Sequence, residues 1–83
     1  MTAIDYGRLR SVTARRLVNA LEKDGFRLNR QSGSHRQYKH ADRRRVTVSF
    51  HHSSDTFPPK TLRSMIEIQA RWTWEDLVRL GLL

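Results

Sequence analysis

The sequence predicts an α+β domain in which one helix, three antiparallel strands and two further helices follow in that order. Three observations carry this prediction. Ala14, Leu17, Val18 and Leu21 recur at i, i+3, i+4 and i+7, the stripe of an amphipathic helix. Three short segments between residues 26 and 50 alternate apolar and polar side chains with period two and are separated by turn residues. Two helix-start patterns then occupy residues 58–81.

Thr13 is the expected N-cap of the first helix. Gly25 stands where a left-handed C-cap glycine belongs, and Lys23 suits the negative end of the helix dipole. In "FRLNRQ", Phe26 and Leu28 alternate with Arg27, Asn29 and Gln31; "SGS" turns the chain. "HRQYKH" places His35, Gln37 and Lys39 on one face and Arg36, Tyr38 and His40 on the other. "ADR" turns again, and "RRVTVSF" sets Val46, Val48 and Phe50 against Arg45, Thr47 and Ser49. Short turns imply an antiparallel meander with one buried and one wet face. Phe26, Leu28, Tyr38, Val46, Val48 and Phe50 are expected inside, and His35 outside.

"HHSSDTF" reads as a polar loop. Pro58-Pro59 suits entry into a helix, whose first turn needs no proline N–H. Leu62, Met65, Ile66 and Gln69 mark the inner face of that helix. The last helix opens with Thr73 as N-cap, Asp76 at N3 in a capping box, and Trp72 stapled onto Leu77. It is expected to use Trp74, Leu77 and Val78 and to stop at Gly81. Residues 1–12 are expected to be an N-terminal extension and residues 13–83 a single domain with its helices on one face of the sheet. The order resembles that of a double-stranded-RNA-binding domain with one extra C-terminal helix.

At 83 residues, the chain has room for one modest core. No run of about 18 apolar residues offers a membrane span, and "MTAIDYGRLR" lacks the apolar stretch of a signal peptide. The absence of cysteine excludes disulfides and thiolate metal sites and fits a reducing cytoplasm. Sixteen Lys and Arg against eight Asp and Glu give a net charge of +8. Its placement is uneven: residues 26–45 hold seven basic side chains and one acidic one. A solvated surface usually mixes signs, so a one-signed block points to a polyanion, with nucleic acid the first expectation and an acidic protein the second.

A lone histidine on a strand is most often an ordinary surface residue. His35 stands out because it follows the Gly33-Ser34 turn, has cationic neighbours and projects from the wet face. An imidazole can take a proton from a ribose 2′-hydroxyl, whose oxygen then attacks the adjacent phosphate while a cation steadies the developing charge. RNA carries its own nucleophile, so this chemistry needs no metal and no cofactor. Arg30, Gly33, Ser34, Arg36, Lys39 and Arg45 are the expected RNA contacts. The arginine triplet 43–45 lies where a phosphate backbone can be held, without sequence preference. His40, His51 and His52 with Asp55 form only a loose metal-ligand pattern, short of the three well-placed ligands of a zinc site. Tyr38, Trp72 and Trp74 fit core packing better than base stacking. Phosphate-cradling glycine loops and nucleophile elbows are absent from the sequence.

The succession "LVNALEKDGF", "RQSGSHRQYKH", "RRVTV" and "KTLRSMI" resembles the HicA toxins, small bacterial ribonucleases of toxin–antitoxin pairs. The likeness runs from about Thr13 to Leu80. It implies a fold like that of double-stranded-RNA-binding domains, metal-independent cleavage of mRNA and neutralisation by a HicB-like antitoxin. It also implies that the catalytic histidine is His35. The chain departs from the family at three places: "ADRR" stands where the family commonly has Pro-Asp-Gly-Arg, Pro59-Lys60 stands where a Pro-Gly pair often precedes T-L-R-S, and near Ile68 to Trp72 the chain is one residue longer, without the usual Ala-Gly. The alternative from another class is a non-catalytic RNA-binding module using the same face. Against duplex binding stands the acidic opening "TWED" of the last helix. Three strands between the helices argue against a helix-turn-helix DNA binder.

Overall fold

The computed structural model describes residues 3–83. A 3₁₀ turn, Tyr6–Leu9, leads into α1 (Ala14–Asp24), β1 (Arg27–Ser32), β2 (His35–Lys39) and β3 (Arg45–Ser49). Then come α2 (Pro59–Arg63), which continues as a π-helical stretch Ser64–Gln69, and α3 (Trp74–Arg79). The strands form one antiparallel sheet in the order β1-β2-β3. No helix among the described residues is long and apolar enough to cross a membrane.

The expected caps are present. Thr13 accepts the Arg16 N–H, and the loop after β3 satisfies two more of the free donors of α1, Ala14 to the Asp55 carbonyl and Arg15 to that of Ser53. Gly25 closes α1 at φ 106°. A Cβ there would lie 2.8 Å from His40 Nε2, so glycine is required twice, for backbone conformation and for space. Thr73 and Asp76 form the reciprocal capping box of α3.

Tyr38, Val46 and Val48 pack from the sheet into a single core with Leu17, Leu21, Phe26, Leu62, Ile66 and Leu77. Met1 and Thr2, the first residues of the segment 1–12, lie outside the described residues; from the remainder, Leu9 and Val12 join the same core. Two apolar residues expected inside are not. Leu28 is 50% exposed because β1 is an edge strand, all six of whose residues are open to solvent. Val78 is 44% exposed: α3 is only six residues long and buries Leu77, after which the chain folds back to bury Leu80 and Leu82.

The opposite sheet edge is closed by the π-helical stretch. Gln69 Oε1 accepts the Thr47 N–H at 2.8 Å, and its Nε2 donates to Ser64 Oγ five residues earlier. A second tie is built around Asp24 at the end of α1. Its carboxylate accepts from Trp72 Nε1 at 2.8 Å and from Arg79 at 2.9 Å, and pairs with Arg44 at 3.1 Å. Arg44 also donates to the Ala70 carbonyl and lies over the Phe26 ring. His40 Nε2 is 2.8 Å from the Asp24 carbonyl oxygen, its ring edge-on to Phe26.

Only two described non-glycine residues have positive φ, Arg43 at 80° and Arg71 at 57°. They fall at two of the three places where the resemblance leads one to expect a glycine; the third, Lys60, lies in α2. A side chain in the left-handed region costs about 1–3 kcal/mol, part of which glycine returns as unfolded-state entropy. Arg43→Gly is therefore expected to raise stability by about 0.5–1 kcal/mol, read as a higher denaturation midpoint.

Candidate functional site

Pairing across the strands fixes what lies on the sheet face away from the core. At the hairpin end, Ser32, His35 and Ser49 stand side by side; next come Arg30, Gln37 and Thr47; last come Arg27, Lys39 and Arg45. His35 is exposed on this outer face, as its place in the β2 alternation predicts. Arg30, Ser32, His35, Gln37 and Thr47 line a shallow depression of about 190 Å³.

Arg30 reaches this face through an irregularity. Strict alternation from Phe26 and Leu28 would turn Arg30 towards the helices. The register instead slips between Leu28 and Arg30, leaving Asn29 as the extra residue of a β-bulge. Beyond a bulge the faces exchange, so Arg30 and Ser32 join His35 while Gln31 turns inward opposite Arg36.

The other expected contacts divide by position. Arg36 is on the inner face opposite Val48, its guanidinium 4.0 Å above the Phe50 ring centroid and its Nη1 buried. It is placed to stabilise the sheet by a cation–π contact, away from His35. Lys39 and Arg45 share the outer face with His35, but Lys39 is four residues along β2, about 13 Å away at the usual rise. They can hold a phosphate further along a strand of nucleic acid, whereas Arg30 is the cation inside the depression. Arg27, in the same row, folds back and donates to the Glu22 and Phe26 carbonyls. Like charges side by side on neighbouring strands are unfavourable in the free protein, and an anion relieves them.

Gly33 and Ser34 build the turn that presents His35. Gly33 has φ 58° at the first central position of a two-residue hairpin, where glycine is favoured. Ser34 ties the turn to β3: its carbonyl accepts the Phe50 N–H, and its Oγ is 3.4 Å from Ser49 Oγ. Both hold the turn from which His35 projects.

The arginine triplet is divided as well. Arg43 occupies the turn, Arg44 belongs to the Asp24 network, and only Arg45 is on the outer face. Asp55 accepts the backbone N–H groups of His51 and His52, both at 3.0 Å, and these bonds lead the causes that hold its carboxyl below the usual range. No cluster of three or more possible metal ligands occurs among the described residues. Trp72 is buried and Trp74 half-buried, away from the outer face. Sequence reasoning missed Ser32, Thr47 and Gln37 as lining residues; the alternation around His35 carried the signal for Gln37 and Thr47.

Fold and site together define a small α+β domain with an open, cationic sheet face and one imidazole set in a depression on it. The family of the HicA toxin of bacterial toxin–antitoxin systems matches residues 14–71, a span that includes α1, the whole sheet and the α2 segment. The chain belongs to that family. No curated protein matches the chain.

Proposed function

We propose that the chain is the toxin of a type II toxin–antitoxin pair and cleaves mRNA without a metal ion, with His35 as the proton-transfer group. The observation that carries this reading is the position of His35, exposed beside Arg30 in the depression, in a chain of the HicA family. His35 takes the proton of a ribose 2′-hydroxyl, and the 2′-oxygen attacks the neighbouring phosphorus. The bond to the 5′-oxygen breaks, and that oxygen leaves with a proton returned by the imidazolium or by water. The product is a 2′,3′-cyclic phosphate, which water can open. Arg30 is the cation positioned for the charge that builds on the phosphoryl oxygens. Lys39 and Arg45 bind the backbone farther from the cut. The test is to incubate the purified chain with an RNA transcript and with DNA of the same sequence, both in EDTA. The RNA is expected to be cut and the DNA left intact; loss of RNA cleavage in chelator, with recovery on adding zinc or magnesium, would refute the reading.

The same face suits an acidic, HicB-like antitoxin in the cytoplasm. Carboxylates and phosphates are attracted alike by Arg30, Lys39 and Arg45 on this face, so a partner covering His35 would exclude RNA without any conformational change. Such an encounter is fast and salt-sensitive. Arg30→Glu with Arg45→Glu is expected to weaken RNA binding and antitoxin binding together, as measured by titration at two salt concentrations. If RNA binding falls while antitoxin affinity and its salt dependence are unchanged, the partner docks elsewhere.

A further inference from the structure

The bulge at Asn29 does more than redirect Arg30. It also brings the Asn29 side chain across to β2, where Nδ2 donates to Gln37 Oε1 at 3.5 Å. Gln37 is half-buried in the wall of the depression, two residues from His35 on the same strand and same face. Two residues of strand correspond to about 7 Å, so a nucleotide next to the one being cut lies within reach of its amide.

The remaining lining residues are poor readers of sequence. Arg30 is a cation suited to phosphate, and Ser32 and Thr47 offer hydroxyls that suit ribose or phosphate equally well. A side-chain amide is different because donor and acceptor sit at fixed positions on a flat group, as base edges do. With Oε1 engaged by Asn29, the Nε2 donors of Gln37 are what its amide has left for a ligand. Uracil, guanine and cytosine present carbonyl acceptors and adenine only ring nitrogens, so the acceptors lie at different places on the four base edges.

We propose that Gln37, oriented by Asn29, reads the nucleobase beside the scissile phosphate and sets a base preference there. The proposal rests on the RNA-cleaving reading above and adds to it a selectivity that His35 and the cations do not supply. Bulges near functional sites commonly serve to re-aim a side chain, and here one bulge supplies both the cation and the amide pair of the depression.

The experiment is cleavage of a randomised RNA pool, followed by sequencing of the ends produced, with circular dichroism on each protein. The native chain is expected to cut with an unequal base composition at one position adjacent to the cut. Gln37→Ala should reduce that bias by roughly five- to tenfold, the scale of one lost base-edge hydrogen bond. Gln37→Glu, an acceptor in place of a donor, should shift the bias towards bases bearing an amino group. Asn29→Ala, which frees the amide without removing it, should relax the same position partly; this exposed substitution tests the idea even if the Gln37 variants misfold. A native pool with no bias at any neighbouring position, or a Gln37→Ala pattern identical to the native one, overturns the proposal alone. An uncut pool with the native protein would instead overturn the RNA-cleaving reading on which it rests.

Discussion

His35→Ala is expected to lower RNA cleavage by roughly 10²- to 10⁴-fold, the usual cost of losing a general acid–base group, while the protein stays folded. The side chain is exposed and absent from the core, so its removal opens no cavity. The turn before it is held by the positive φ of Gly33 and by the Ser34 carbonyl, not by the imidazole. Circular dichroism and cleavage of one transcript, measured on the same preparation, check both halves of the prediction. Full activity in the alanine protein would remove His35 from the mechanism, and among the described residues no other imidazole stands on the outer face of the three strands to replace it.

Asp24→Asn is expected to have the largest effect on stability, a loss of about 2–3 kcal/mol, which for a domain of this size lowers Tm by about 10 °C or more. The Asp24 side chain is 10% exposed and that of Arg44 17%, so the substitution takes one of two carboxylates from a shielded guanidinium, leaving Arg44 with Asp42 alone. It also weakens a junction that joins α1, the turn between β2 and β3, the start of α3 and its last residue, Arg79. Burial opposes ionisation of Asp24, but hydrogen bonds from Trp72 and Arg79 and the Arg44 cation prevail, so its carboxyl lies below the ordinary carboxylate range. A depressed native pKa means a contribution that is complete above the unfolded value, near pH 4, and fades as pH falls through the lower native value. The stability gap between the native protein and Asp24→Asn should therefore be constant at neutral pH and narrow in acid. A gap independent of pH down to about pH 2 would show that the carboxylate charge contributes nothing. Chemical denaturation across that range measures it.

The parts of this protein that depend on local pattern were legible in its sequence. Thr13, Gly25 and the Thr73–Asp76 box act within a single turn of chain, and their residue types announce them. The outward aspect of His35 follows from period-two alternation in β2, which is regular. Where alternation breaks, reading fails. Nothing in "RLNRQ" marks Asn29 as the bulged residue, so the strand pattern puts Arg30 on the inner face and Gln31 on the outer one, the reverse of what the register shows. Arg36 teaches the opposite lesson. Its charge suggested RNA, but its position in the alternation already set it on the inner face, where Phe50 receives it. The Asp24 network was beyond the sequence because its partners lie 20, 48 and 55 residues away. The π-helical stretch that carries Gln69 to the β3 edge has no periodic signature of its own.

If His35 works on the RNA's own 2′-hydroxyl, the chemistry of the cut ends must show it. A short RNA cleaved in EDTA by the purified chain should yield, by mass spectrometry, a 2′,3′-cyclic phosphate or its opened phosphate on one fragment and a 5′-hydroxyl on the other. A single 2′-deoxy substitution at the scissile nucleotide should abolish the cut. Fragments ending in a 3′-hydroxyl and a 5′-phosphate, or cleavage at the 2′-deoxy site, would contradict the mechanism.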